Sequence, residues 1–131
     1  MSTPEDSDCE GMMKPGKIGW AELITSDPAG AIAYYTGLFG WETEPFTGGM
    51  TEYTMLKFDG VPFGGVMKAP QEGIPTHWLN YVSVADIDAS VAKSTSLGGA
   101  VCMPPTEIPT VGRIAVVTDP QGAVIGLHQA P

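Results

Sequence analysis

The sequence predicts an α+β fold made of two βαβββ modules, and three observations carry that prediction. A chain of 131 residues, 43% of them hydrophobic, is one domain's worth of sequence and can bury a core without disulfide or metal staples. Seventeen glycines and twelve prolines, 29 of the 131 residues, call for many short elements joined by turns rather than a helical bundle. Features of the first half also recur 59 residues later: Trp20 with Leu79, Asp27 with Asp86, Ala33 with Ala92, Leu38 with Leu97, Gly40 with Gly99.

Taken in order, residues 1–16 hold Glu5, Asp6, Asp8 and Glu10 against Lys14, without periodicity, and read as a disordered acidic tail. A single domain follows over 17–130. Ile18–Thr25 is a strand, closed by Ser26-Asp27-Pro28, where Asp27 offers an N-cap acceptor and proline takes the first helical position. Ile32, Tyr35, Leu38 and Phe39 then recur at helical spacing, and Gly40 ends the helix. Strands follow around Trp41–Phe46, Tyr53–Phe58 and Val61–Met67, the last two joined by the hairpin dipeptide Asp59-Gly60. Module one thus spans 17–68, and residues 69–76 form a linker.

Module two, 77–130, repeats the order. His77–Val84 is a strand, and Asp86-Ile-Asp88 opens a helix that runs to Leu97 and closes at Gly98-Gly99. Val101–Met103 is a short strand, followed by a proline-rich loop over 104–112. Arg113–Thr118 and Ala123–His128 form the final pair through Asp119-Pro-Gln-Gly122. A repeat seen only twice is a duplicated module, not a solenoid. Each module's sheet gives one face to its helix, so the other must be covered by the second module, a second chain or a ligand.

Fifteen acids against six scattered bases, a net charge of −9, argue against nucleic acid and against an anionic membrane surface. About a third of that charge, −3, belongs to the tail. The N-terminus lacks an apolar signal core and no run of 18 apolar residues occurs, so a cytoplasmic protein is expected. Cys9 and Cys102 form no C-x-x-C pair, which excludes a zinc ribbon or thioredoxin-type site, and Cys102 beside Met103 is expected to be buried and unreactive. There is no G-x-S-x-G elbow, no P-loop and no G-x-G-x-x-G.

The string Ala33-Tyr-Tyr-Thr-Gly-Leu-Phe-Gly-Trp41, after a strand and Asp-Pro, together with Asp119-Pro-Gln-Gly-x-x-x-x-Leu127, resembles the vicinal oxygen chelate superfamily. That superfamily includes glyoxalase I, extradiol dioxygenases, bleomycin- and fosfomycin-resistance proteins and methylmalonyl-CoA epimerase. The resemblance covers residues 18–129. It implies a curved mixed sheet around a central cavity and, in enzymes of the family, a divalent metal held by four inward His, Glu or Gln side chains. Two of these come from the first strands of the modules and two from the last. Carried over, the positions read Trp20, Leu79, Gly64 and Gly126, none of which offers a side-chain donor. No metal and no cofactor are therefore expected.

On the same alternation the cavity face carries Trp20, Glu22 and Ile24 from the first strand. The matching strand adds His77, Leu79, Tyr81 and Ser83, and the last strand Val124, Gly126 and His128. Candidate ligand-binding residues are Trp20, Glu22, His77, Tyr81 and His128, with Arg113 at the rim. Each has a plainer reading beside it. Trp20 and Trp78 read first as core, Trp41 as structural packing, the histidines as solvated strand ends and Arg113 as a surface charge. A hydrogen bond between Glu22 and its repeat mate Tyr81 would satisfy the acid without a ligand. Three functions follow. The first is a metal-free binder of a small aromatic or acyl molecule. The second is a lyase, isomerase or dioxygenase with a rearranged site of Glu22, His77 and His128. The third is an interaction module filled by Trp20 and methionines. A homodimer is expected, because leftover sheet faces and edges need cover.

Overall fold

Alternating apolar residues and correctly placed caps produce the ten expected elements in a computed structural model that describes residues 14–46 and 52–131. They are β1 (Ile18–Thr25), α1 (Pro28–Phe39), β2 (Glu42–Pro45), β3 (Tyr53–Phe58), β4 (Val61–Lys68), β5 (His77–Ser83), α2 (Ile87–Ser96), β6 (Ala100–Ile108), β7 (Gly112–Thr118) and β8 (Val124–Gln129). Most of the acidic tail, with Cys9, lies outside the described residues. Its last part, Lys14–Gly16, makes a turn instead of disorder: Lys17 N–H donates to Lys14 O, and Gly16 N–H to Ser83 O at 2.8 Å. The described residues fall into two compact units, 20–79 and 14–19 with 80–131.

In the first unit the strand order is β2-β3-β4-β1, with β1 parallel to β4 and the other pairs antiparallel. Asp27 caps α1 by accepting from Gly30 N–H at 3.0 Å, with Pro28 at the first helical position. One sheet face packs under this helix. Leu23, Leu56 and Val66 are buried there against Ala31, Ile32, Tyr35, Trp41 and Phe63. The β3–β4 turn has Asp59 at φ 52° and Gly60 at φ 80°, the two left-handed residues that a tight two-residue hairpin requires.

The β3–β4 ladder is not regular. Leu56 pairs with Gly64 but Lys57 pairs with Pro62, so Phe63 bulges out of β4. Its ring meets Trp41 edge-on at 4.7 Å. Trp41 also contacts Phe39 at 4.8 Å and stacks on Tyr35 at 5.8 Å, which is the structural role its position after the helix suggests. Trp78, second residue of the second module's opening strand, joins this cluster. It lies edge-on to Tyr35 at 5.3 Å, and its Nε1–H donates to the Tyr35 hydroxyl at 3.2 Å. α1 carries no charged residue and buries none of its own; Tyr34, Leu38 and Phe39 stay more than half exposed.

The second unit repeats the topology as β5-β8-β7-β6, with β5 parallel to β8. Ile87, Ala115, Val117 and Leu127 form its buried core, with Val82, Val84, Val91 and Ile125 around them. Asp86 caps α2 through Ala89 N–H, and Ile87 N–H donates to the Gln129 side chain at 2.8 Å, fastening the helix start to the end of β8. Asp119 closes the β7–β8 turn by accepting from Gln121 N–H and Ala123 N–H, both at 2.9 Å.

Two expectations are corrected in β6. The strand runs to Ile108, through Pro104 and Pro105, where a short strand and a loop were expected. It is the outermost strand of its unit's order, where a missing proline N–H costs no ladder bond, and register shifts around Met103 absorb the irregularity. Val101 pairs with Val117 and Met103 with Val116, which leaves Cys102 as the bulged residue. Cys102 is therefore exposed, not buried. No helix among the described residues is long and apolar enough to cross a membrane.

Two glycine substitutions separate packing from propensity. A Cβ on Gly64 would run into the Ala21 carbonyl oxygen, so Gly64→Ala should destabilise by about 1–3 kcal/mol, as overpacking against backbone does. Gly37 sits inside α1 with nothing within 4 Å of its Cβ position. Gly37→Ala should stabilise by about 0.5–1 kcal/mol, both changes being read from urea unfolding midpoints.

Candidate functional site

In β1, Leu23 and Thr25 are buried and Leu23 packs in the core under α1, so strict alternation turns Trp20, Glu22 and Ile24 to the opposite face. The β1–β4 register decides which residues join them. Glu22 pairs with Gly65, while Ala21 pairs with Gly64 and Leu23 with the core residue Val66. Gly65, not Gly64, therefore shares the face of Trp20 and Glu22. The expected position was counted from the turn glycine, and the Phe63 bulge adds one residue to that count and reverses every facing beyond it. Glycine at 65 still offers no metal donor.

Tyr53 occupies the place that Gly65 leaves open. Met55 pairs with Gly65 and Tyr53 with Met67, which puts both on this face. A Cβ on Gly65 would collide with the Tyr53 ring, so the phenol lies across the glycine. Trp20 Nε1–H donates to the Tyr53 hydroxyl oxygen at 2.9 Å, and the hydroxyl in turn hydrogen-bonds the Glu22 carboxylate. Burial, first, and then the Glu22 charge push the Tyr53 phenol far above its ordinary range; the Trp20 bond opposes them only in part. Tyr53 is a site residue that sequence reasoning missed. A regular ladder from the Asp59-Gly60 turn pairs Tyr53 with Val66 on the helix side, and only the bulge turns it over.

The second unit holds a matching arrangement. Tyr81 pairs with Gly126 in the parallel β5–β8 register, and a Cβ on Gly126 would collide with the Tyr81 ring, itself only 6% exposed. Leu79, at the other expected metal position, is buried at the end of the first unit. Of the two glycines expected at ligand positions, Gly126 is thus covered by a tyrosine ring, while in the first unit the ring lies over Gly65 and not over Gly64.

The structure places Trp20, Glu22 and His77 in the first unit and Tyr81, Arg113 and His128 in the second. It brings Trp20 and Glu22 together around Tyr53. Each histidine has one ring nitrogen committed: His77 Nδ1 lies 2.7 Å from Pro75 O, and His128 Nε2 lies 2.7 Å from Val111 O. A carbonyl oxygen only accepts, so those nitrogens carry the protons. His128 also lines a recess of about 210 Å³ with Ser83 and Gln129, below the size usual for a drug-like ligand. Arg113 donates twice to Asp88 on α2, at 2.7 and 3.1 Å. The pair holds the Asp88 carboxyl below its ordinary range and the guanidinium above its own.

The donor set does not fit the four-ligand metal of the resemblance. A tryptophan, a leucine and two glycines supply no N, O or S ligand, and among the described residues no three His, Cys, Asp or Glu gather as a metal group. What the first unit's face offers is an indole, a phenol and one carboxylate in hydrogen-bonded sequence, bordered by methionines.

The Tyr53 phenol gives a pH signature. Its folded-state pKa is raised, so its contribution to stability is intact below the ordinary phenol value and is lost as pH rises beyond about 10. The urea midpoint should therefore fall above about pH 10, and Tyr53→Phe should flatten that fall.

Comparison with known proteins agrees with this architecture. The family model described as the Glyoxalase/Bleomycin resistance protein/Dioxygenase superfamily matches residues 17–127. "Putative glyoxylase CFP32" of Mycobacterium tuberculosis (strain CDC 1551 / Oshkosh) is 40% identical over 119 residues, covering 88% of this chain and 45% of that protein. "Anthracycline biosynthesis protein DnrV" of Streptomyces peucetius is 32% identical over 131 residues, covering 86% and 46%. The chain thus spans less than half the length of either relative. Among solved structures, a methylmalonyl-CoA epimerase in complex with methylmalonyl-CoA aligns at TM-score 0.66 with 18% identity, over 89% of this chain and 96% of that one. The methylmalonyl-CoA epimerase of Mycobacterium tuberculosis aligns at 0.64 with 14% identity, over 100% and 93%. With two βαβββ units of one topology and a family model matched from residue 17 to 127, this chain belongs to the glyoxalase/bleomycin resistance protein/dioxygenase superfamily.

Proposed function

We propose that the chain binds a small organic molecule, aromatic or acyl, on the sheet face that carries Trp20, Glu22 and Tyr53, without the metal that chelating members of the family hold. The observation that supports this reading is the Tyr53 ring laid over Gly65 and hydrogen-bonded to Trp20. Where chelation needs a donor atom, this chain presents a flat ring, and the tyrosine over Gly126 repeats the device. Aromatic planes of this kind gain most from covering another ring or an apolar chain. Glu22 is the polar group of that face; His77 in the same unit, and Tyr81 and His128 within the second unit, are further candidate ligand residues, and Arg113 serves α2 through Asp88 instead.

One relative is named for anthracycline biosynthesis and the structural neighbours include an enzyme holding methylmalonyl-CoA, so aromatic and acyl compounds are the classes to test first. The proposal extends to a cytoplasmic homodimer that pairs through α1. A chain of net charge −9 resists self-association, and α1 is an uncharged surface on which two copies meet without that repulsion.

Elemental analysis of the purified chain should find no stoichiometric transition metal. About one metal per chain, lost in Glu22→Ala or His77→Ala, would instead support the rearranged catalytic site of Glu22, His77 and His128. In a thermal-shift screen an aromatic or acyl ligand at about 100 times its Kd should add about 2.7 kcal/mol of stability, and Trp20→Ala should abolish that gain. Sedimentation at micromolar concentration should give a dimer that Tyr34→Glu with Leu38→Glu converts to monomer. A wild-type chain that sediments as a monomer would sink the dimer.

A further inference from the structure

The methionines among the described residues, Met55, Met67 and Met103, share one placement. In the first unit Met55 pairs with Gly65 and Met67 with Tyr53, which sets both on the face of Trp20, opposite α1. In the second, Met103 pairs with Val116, next to the core residue Val117, and so faces away from α2. Neither core has a buried methionine: the residues buried there are leucine, valine, isoleucine and alanine. Stiff side chains pack under the helices, and adaptable ones line the opposite faces.

On the first unit's face the methionines stand beside a fixed aromatic pair. Trp20 holds Tyr53 by the 2.9 Å bond, Tyr53 lies over Gly65, and Phe46 meets the phenol ring edge-on at 6.1 Å. Met55 lies across the β3–β4 ladder from Gly65. Met67 follows two residues further along β4, with Ile24 as its partner on β1. Both methionines are half-buried. A methionine side chain is unbranched and flexible, with a polarisable sulfur, so it moves to meet or clear a group that a β-branched side chain would refuse.

We infer that this face fixes one flat ring against Trp20 and Tyr53 and accepts side arms of varied length and branching on it, with Met55 and Met67 setting that tolerance. This rests on the binding reading above and names its ligand class: compounds that share a ring and differ in an apolar arm. The rigid aromatic surface selects the common part by shape. The flexible methionine surface re-packs around the part that varies.

Three probes with one ring test it: 6-methoxy-, 6-propoxy- and 6-isopropoxy-2-naphthol, titrated into the full chain by calorimetry. All three should bind, with neither larger arm weaker than methoxy by more than about threefold, since a methylene that finds cover gains up to about fourfold. Met55→Ile with Met67→Ile conserves volume but adds a branch at each Cβ. In that chain methoxy should stay within about threefold of its original affinity, while propoxy and isopropoxy weaken by about tenfold or more. Met103→Ile, in the second unit, should leave all three affinities unchanged. A loss of about tenfold or more for the larger arms in the unmodified chain overturns the inference, as does a folded Met55→Ile, Met67→Ile chain that treats the three alike. A second measurement needs no variant of the site. With isotope-labelled methionine methyl groups, the Met55 and Met67 resonances should shift to a different place for each probe, while the Trp20 indole N–H shifts to one place common to all. Methyl resonances that stay still while a probe binds overturn the inference. If no probe binds, by heat or by the indole resonance, the binding reading itself fails, whereas binding that rejects the larger arms defeats only the ligand class.

Discussion

The candidate site depends on one extra residue in one strand. Between the Asp59-Gly60 turn and Gly64, β4 carries a bulge at Phe63, and the ladder with β3 changes parity across it. Because side chains alternate at a period of two, a single inserted residue reassigns every later position to the other face. Gly65 and Met67 thereby come to share the face of Trp20 and Glu22, and Tyr53 turns over to lie on Gly65. The same bulge frees Phe63 to pack edge-on against Trp41 beneath α1. Packing on one face and the polar series on the other therefore have a common cause.

Chelation and stacking make opposite demands on such a face. A metal site needs several N or O atoms converging on a point, each held by a side chain that projects from its strand. Glycine at 65 and 126 removes the projection and admits a ring flat against the sheet, Tyr53 in one unit and Tyr81 in the other. Buried polar groups introduced in this way must still be satisfied. The indole N–H, phenol and carboxylate satisfy one another, and among the described residues no buried side-chain nitrogen or oxygen lacks a partner.

The two helices, alike in topology, differ in what they show to solvent. α2 begins on Asp86, carries Asp88 in a bidentate pair with Arg113 and has Lys93 in its last turn, as a solvated helix does. α1 has no charge over twelve residues and leaves Tyr34, Leu38 and Phe39 exposed. The two helices therefore share a place in the repeat but not a surface chemistry.

Much of the fold was legible in the sequence because its signals are local. Asp27 and Asp86 announce caps through side chains that reach only three residues ahead, and Asp59-Gly60 announces a hairpin through backbone angles few other pairs adopt. The family strings and the 59-residue repeat needed nothing beyond residue order. Of the site, Trp20 and Glu22 were legible by alternation within one strand. Tyr53, the substitution of Gly65 for Gly64, the length of β6 and the exposure of Cys102 were not. Each depends on a bulge, and a bulge is settled by how two strands pack, since the extra residue's cost is weighed against contacts such as Phe63 with Trp41 that exist only after folding. The sequence by itself determined the elements and their order. Tertiary structure alone decided which residues face together, because facing is a matter of pairing register and not of residue order.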